Sequence, residues 1–143
     1  MNAYMNQVAL STFSFFDTGK QPTGKSEPER FYHGFVLGLI ADLSGRYMVT
    51  SNRESGFGRY DVLLEPKRDC DPAIIMEFKV FNPKKEACLE DTVANALAQI
   101  KKMKYAALLN AKDIDKSRIH SYGFAFRGKE VLIGDNDGLS QNV

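Results

Sequence analysis

In the segment AIIMEFKV, residues 73–80, an acid and a base stand two positions apart in a run that is otherwise apolar. At the two-residue period of a strand, Ile75, Glu77 and Lys79 share one face, and Ile74, Met76, Phe78 and Val80 share the other. The second face is continuously apolar, as expected of a strand packed on a core. The first carries two charges that are costly in such a strand unless they are paired or bound to a metal. RYDVLLEP, residues 59–66, poses the same problem with Asp61. If the two segments are neighbouring strands, both carboxylates point to one site. Asp61, Glu77 and the backbone carbonyl of Phe78 would then be hard oxygen donors suited to Mg²⁺ or Mn²⁺. A cation held that way polarises a phosphoryl oxygen and supplies hydroxide near neutral pH. Lys79 is placed to orient or deprotonate the attacking water, or to stabilise charge developing on phosphorus. The same residues also fit a buried Asp–Lys–Glu ion cluster, or a strand facing solvent, with no chemistry at all.

A second motif competes. GKQPTGKS, residues 19–26, satisfies G-x-x-x-x-G-K-[ST], whose backbone amides cradle phosphates while the lysine reaches the outer one. That chemistry requires a buried strand running into the loop, a helix starting at the Lys-Ser pair, and a parallel sheet with an acid at a strand end. Pro28, two residues after Ser26, instead fits a helix that begins near Glu27. The strands that follow read as a meander rather than as βαβ units. GKQPTGKS is therefore read as a connecting loop, with ATP binding as the lesser alternative.

The elements that must hold these residues follow from periodicity. Residues 4–16 read as a helix outside the motif region, and Asp17, Gly19, Pro22, Gly24 and Ser26 mark a loop over 18–26. A helix is expected from about Glu27 to Ser44, with Glu29, His33, Val36, Ile40 and Leu43 on one stripe. Two polar groups thus share its inward face. RYMVTSNR reads as a strand and ESGFG as a loop. RYDVLLEP and AIIMEFKV are the strongest strands, joined through KRDCDP as an antiparallel hairpin or meander. A long helix from Glu86 to about Asn110 carries Leu89, Val93, Ala96, Leu97, Ile100, Met103 and Ala107 on one side, with Gln99 at the stripe's edge beside Thr92 and Ala106. AKDIDKSR leads to the strands IHSYGFAFRG and EVLIG, and residues 135–143 form a polar tail expected to fray. The order ααβββαββ defines an α/β fold, a small mixed sheet flanked by helices. The strands on either side of the crossover helix are expected to be parallel.

A length of 143 residues with 43% apolar and 26% charged content is that of one ordinary globular domain with a real core. The formal charge of +1 creates no global field toward nucleic acid or membrane, so any such contact needs a local basic face. Lys101, Lys102, Lys104, Lys112, Lys116 and Arg118, set against Asp113 and Asp115, form either a phosphate-tracking surface or a solvated helix face. Arg59, beside the acid-bearing strand, is another backbone-contact candidate. No apolar run reaches the ~18 residues of a transmembrane helix. The start MNAYMNQVALSTFSFFD lacks the basic region of a signal peptide. Cys70 and Cys88 sit outside any CxxC pairing and fit free thiols of a reducing cytoplasm. With only His33 and His120, a Cys/His zinc site is disfavoured, and oxygen ligands are left.

Asp61 together with the E-x-K triplet Glu77-Phe78-Lys79 resembles the PD-(D/E)XK nuclease superfamily, whose fold is restriction-endonuclease-like. Asp61 matches the first acid, although Tyr60 stands where the literal motif has proline. The stretches ERFYHGFVLGL, SNRESGFGRYDVLLEP, IIMEFKV, ALAQIKKMKY and YGFAFRGKEVLIG resemble a branch in which this domain follows an AAA-type ATPase-like domain in bacterial proteins. The resemblance spans residues 27–134. It implies a Mg²⁺- or Mn²⁺-dependent phosphodiesterase that cuts DNA, in preference to RNA, by attack of metal-activated water. It also implies that Glu29 is the helix-borne acid completing the metal site, with His33 one turn later near it. Gln99 resembles a helix glutamine that contacts phosphate or orients Lys79. Residues 1–17 would be the connector from an upstream ATPase domain, and ATP chemistry would belong to that domain. Two alternatives stay open. Ser26-x-x-Glu29 is also a capping box, and the fold also serves as a nucleic-acid or protein interaction module without turnover. A dimer would let two sites cut two strands, but no residue demands one.

Overall fold

Runs of apolar side chains bounded by polar turns build the sheet. The computed structural model describes Gly38 and residues 41–54, 59–103, 105–128, 130–135 and 138–139, with backbone alone at 42, 52–54, 59, 60, 106, 108, 138 and 139. A 3-10 turn at Ala41–Gly45 precedes β1 (Tyr47–Glu54), β2 (Arg59–Pro66) and β3 (Ala73–Val80). Helices α1 (Leu89–Lys102) and α2 (Tyr105–Asn110) follow, then β4 (Ile119–Arg127), β5 (Glu130–Asp135) and β6 (Gly138–Leu139). The strands lie in one six-stranded sheet in chain order. β1, β2 and β3 form the expected antiparallel meander. β4 runs parallel to β3, and β5 and β6 return antiparallel. A parallel neighbour needs a long crossover, which α1 and α2 supply. The expected α/β, restriction-endonuclease-like architecture is thus observed in the described residues.

Both faces of the sheet are covered, which is why β3 reads as almost continuously apolar. Tyr47, Val62, Leu64, Met76, Phe78, Phe124, Phe126, Val131 and Ile133 form one core. By strand alternation the opposite face carries Leu63, Ala73, Ile75 and Ile119, which meet Ile100 of α1 and Leu109 of α2. Ala125 on that face meets Leu89 and Val93. Asp61, Glu77 and Lys79 therefore lie on the helix-covered face.

Gly123 of β4 lets α1 sit close. A Cβ there would stand 3.0 Å from the Val93 carbonyl oxygen and 3.1 Å from the Ala96 Cβ, and neither belongs to a flexible side-chain end. At the helix start, the Asp91 carboxylate accepts from the Ala87 N–H at 2.9 Å and the Cys88 N–H at 3.3 Å. Glu90 and Asp91 in the first turn and Lys101 and Lys102 in the last complement the helix dipole.

The long helix departs from expectation at both ends. It starts at Leu89 rather than Glu86, because the Glu86 carboxylate is engaged by the Asn82 N–H, the Thr92 hydroxyl and the Asn95 amide. It also stops at Lys102, and α2 resumes at Tyr105. Met103, expected to face inward, is 40% exposed, and Ala107 is exposed too. Packing accounts for the break, since Leu109 of α2 is fully buried against the cluster around Leu63, Ala73 and Ile75. Within the stretch read as a frayed tail, β6 pairs Gly138 with Asp135 and Leu139 with Gly134. The 4–16 helix, GKQPTGKS and most of the 27–44 helix lie outside the described residues. The described end of the latter, Ala41–Gly45, is 3-10.

The β2–β3 turn is anchored from two sides. Arg46 Nη2 donates to Asp71 Oδ1 at 2.5 Å, and Arg118 Nη2 donates to the Asp71 carbonyl at 2.6 Å. Asp71 is thereby buried in a turn whose other residues are mostly exposed. The hydrogen bond from Arg46 holds its carboxyl below the ordinary carboxylate range.

Two outcomes are expected. Gly123→Ala forces α1 outward and lowers unfolding free energy by about 1–3 kcal/mol in a urea titration. Asp71 has a depressed folded-state pKa, so its stabilisation is full above the unfolded value of ~3.9 and is lost as pH falls through the folded value. Asp71→Asn should therefore melt below wild type at neutral pH, and the gap should close under acid conditions. A gap constant with pH would contradict this.

Candidate active site

The antiparallel register of β2 and β3 sets Asp61 directly opposite Glu77. Side chains so placed have Cβ atoms ~4.5–5.5 Å apart. Glu77 is only 2% exposed and Asp61 is half-buried, so two acids face each other in a layer that Ile75 and Leu63 continue as hydrocarbon. Lys79 follows on the same face, half-buried. Phe78, between them, points into the opposite core, with its ring centroid 4.9 Å from that of Phe124. Its contribution at the site is confined to backbone atoms. Gly123 is the β4 neighbour of Glu77, so a close approach of α1 to the sheet adjoins the acid pair.

The two oxygens of Asp61 are distinguished by their surroundings. Oδ2 accepts a hydrogen bond from the hydroxyl of Tyr105, the first residue of α2. Oδ1 is buried and accepts none among the described residues. Glu77 and Lys79 each take part in further interactions within the chain.

The entry to α1 adds another carboxyl near Lys79, that of Glu86. Burial pushes the Glu86 carboxyl up, but donors from the Asn82 backbone at 2.9 Å, Thr92 Oγ1 at 2.7 Å and Asn95 Nδ2 at 2.8 Å outweigh it, assisted by the Lys79 charge. The net effect is a carboxyl held below its ordinary range. The Lys79 ammonium thus lies within electrostatic reach of Glu86 as well as on the face of Glu77.

Gln99, at the edge of the apolar stripe by helical angle, is buried on α1. Lys101 and Lys102 are exposed at the end of the same helix. Arg59 opens β2 two residues before Asp61, with its side chain outside the described set. Glu29 and His33 also lie outside it. Among the described residues no group of three or more Asp, Glu, His or Cys side chains is gathered to hold a metal. The described residues that could supply donors are Asp61 and Glu77 through their carboxylates and Phe78 through its backbone carbonyl. Hard oxygen donors with one buried Asp61 oxygen left open fit a divalent cation.

Tyr105 and Glu86 received no role from sequence. By periodicity Tyr105 falls inside one uninterrupted helix, and Glu86 reads as that helix's first residue. An Asn82-x-x-x-Glu86 spacing ahead of the apolar stripe is the one local signal available for the latter.

The profile of the PD-(D/E)XK nuclease superfamily matches residues 27–136, and the chain belongs to that superfamily. The match includes Asp61 and the Glu77-Phe78-Lys79 triplet. Members are usually hydrolytic nucleases that use divalent metals, which implies a nucleic-acid substrate class. No curated protein matches the chain significantly. No helix among the described residues is long and apolar enough to cross a membrane.

Like charges placed directly opposite on adjacent strands are destabilising by roughly 0.2–1 kcal/mol. In EDTA, Asp61→Asn removes one of those charges while keeping an oxygen for Tyr105. Its urea midpoint should therefore exceed that of wild type. An equal or lower midpoint would mean that the pair is already compensated within the chain.

Proposed function

We propose that this domain is a divalent-metal-dependent nuclease that hydrolyses phosphodiester bonds, in DNA rather than RNA. The observation that carries the proposal is the β2–β3 register, which sets Asp61 opposite Glu77 on a buried face with Lys79 two residues further on. Asp61 and Glu77 would hold Mg²⁺ or Mn²⁺, with the Phe78 carbonyl and Glu29 completing the donor set. When bound, the cation polarises a phosphodiester oxygen and lowers the pKa of water at the site.

Every other task falls to the chain itself. Lys79 orients the attacking water, or stabilises the charge that develops on phosphorus, from a half-buried position where its field is weakly screened. Glu86, its carboxyl held below the ordinary range, lies within electrostatic reach of the Lys79 ammonium. Gln99 would support Lys79 or a phosphate oxygen from α1, and His33 would belong to the same site. Lys101, Lys102 and Arg59 carry the sequence-independent contact to the phosphate backbone. An ATPase-like domain is the proposed partner.

Calorimetric titration of Mn²⁺ should give binding to wild type that is lost in Glu77→Ala. With Mn²⁺ present, wild type should cleave DNA, and Lys79→Met should lose roughly 10²–10³-fold in rate while binding Mn²⁺ normally. Equal traces of cleavage from wild type and Asp61→Ala would contradict the proposal, because contamination would then account for both.

A further inference from the structure

Asp61 presents its two oxygens to different surroundings. The Tyr105 hydroxyl occupies Oδ2, whereas Oδ1 is buried and accepts no hydrogen bond among the described residues. A carboxylate that rotates freely about its terminal torsion spreads its oxygens over many orientations. One anchored at a single oxygen by a side chain of another element has its second oxygen aimed. Tyr105 is separated from Asp61 by 44 positions, so the contact depends on tertiary structure. It exists because α1 ends at Lys102 and α2 begins at Tyr105, with Leu109 buried beneath α2 against the strand that carries Asp61.

We propose that Tyr105 is a positioning residue for the metal centre, holding Asp61 so that Oδ1, not Oδ2, is presented to the cation. This inference rests on the nuclease reading above and adds a second-layer partner to its metal ligands. Hydrogen-bonded partners of metal ligands fix the ligand's orientation and tune its basicity, and removing one costs ~10–100-fold in metal affinity or activity. The break between α1 and α2 thereby acquires a purpose. It turns the chain so that the ring on one helix end reaches a carboxylate on β2. A neutral hydroxyl suits the task, since a lysine in its place would neutralise Asp61 and compete with the cation.

Tyr105→Phe tests the proposal, because it removes the hydroxyl and leaves the ring. Mn²⁺ affinity is measured by calorimetry on wild type, Tyr105→Phe and Asp61→Ala, with far-UV circular dichroism and melting curves on each. The expected result is a Kd for Mn²⁺ raised ~10–100-fold in Tyr105→Phe with the wild-type spectrum. Cleavage should be recovered when Mn²⁺ is raised to saturate the variant, a response that a merely structural role would not give. Wild-type affinity in Tyr105→Phe, with Asp61→Ala defective, overturns this inference and leaves the nuclease reading standing. Loss of affinity accompanied by loss of the folded spectrum also overturns it, since Tyr105 would then hold the fold. No Mn²⁺ binding by wild type, tested with and without a DNA oligonucleotide, overturns both.

Discussion

The pairing of β2 with β3 in one register is the constraint on which the rest depends. Side chains alternate faces along a strand, so a slip of one residue would send Asp61 to the face of Phe78 and Met76 while Glu77 stayed with the helices. The register is held by hydrocarbon on both faces. Val62 and Leu64 belong with Met76 and Phe78 in one core, and Leu63 belongs with Ile75 and Ala73 in the other. The Asp71 anchor acts on the same pair from the turn, tying it to Arg46 and Arg118. Apolar burial and one half-exposed ion pair thus support the register that sets the two acids opposite each other.

Stability and chemistry pull in opposite directions at that point. Two carboxylates set directly opposite each other in a buried layer are a local conflict of the kind that is characteristic of functional sites. The surrounding structure tolerates it because the neighbouring contacts are strong. α1 packs on β3 and β4 closely enough that a Cβ at Gly123 would crowd the helix. The helix start is fastened by Asp91 and Glu86, each through several hydrogen bonds. The same helix buries Gln99 and, through the turn that follows it, delivers Tyr105 to Asp61.

Much of this was legible in the sequence because charges inside apolar strands are conspicuous. Asp61, Glu77 and Lys79 stood out on alternation alone, and the polar turn KRDCDP between their strands made an antiparallel pair the simplest topology. The crossover helix announced the parallel β3–β4 pair. The α1–α2 break was not legible, since KKMKYAALLN contains neither glycine nor proline and consists largely of good helix formers. Tertiary packing of Leu109 outweighed that local preference. The burial of Asp71 was equally hidden, because its partners lie 25 and 47 residues away. Gln99 lies at the edge of its stripe by helical angle, and that angle alone does not reveal its burial.

The most direct test of the account is an anomalous difference map from crystals soaked in Mn²⁺, recorded at the manganese absorption edge in the presence of a DNA oligonucleotide. The account predicts a peak within about 2.0–2.4 Å of carboxylate oxygens from both Asp61 and Glu77. Manganese bound only elsewhere, or no peak with the oligonucleotide in place, would contradict it and leave the acid pair as a structural feature of the sheet.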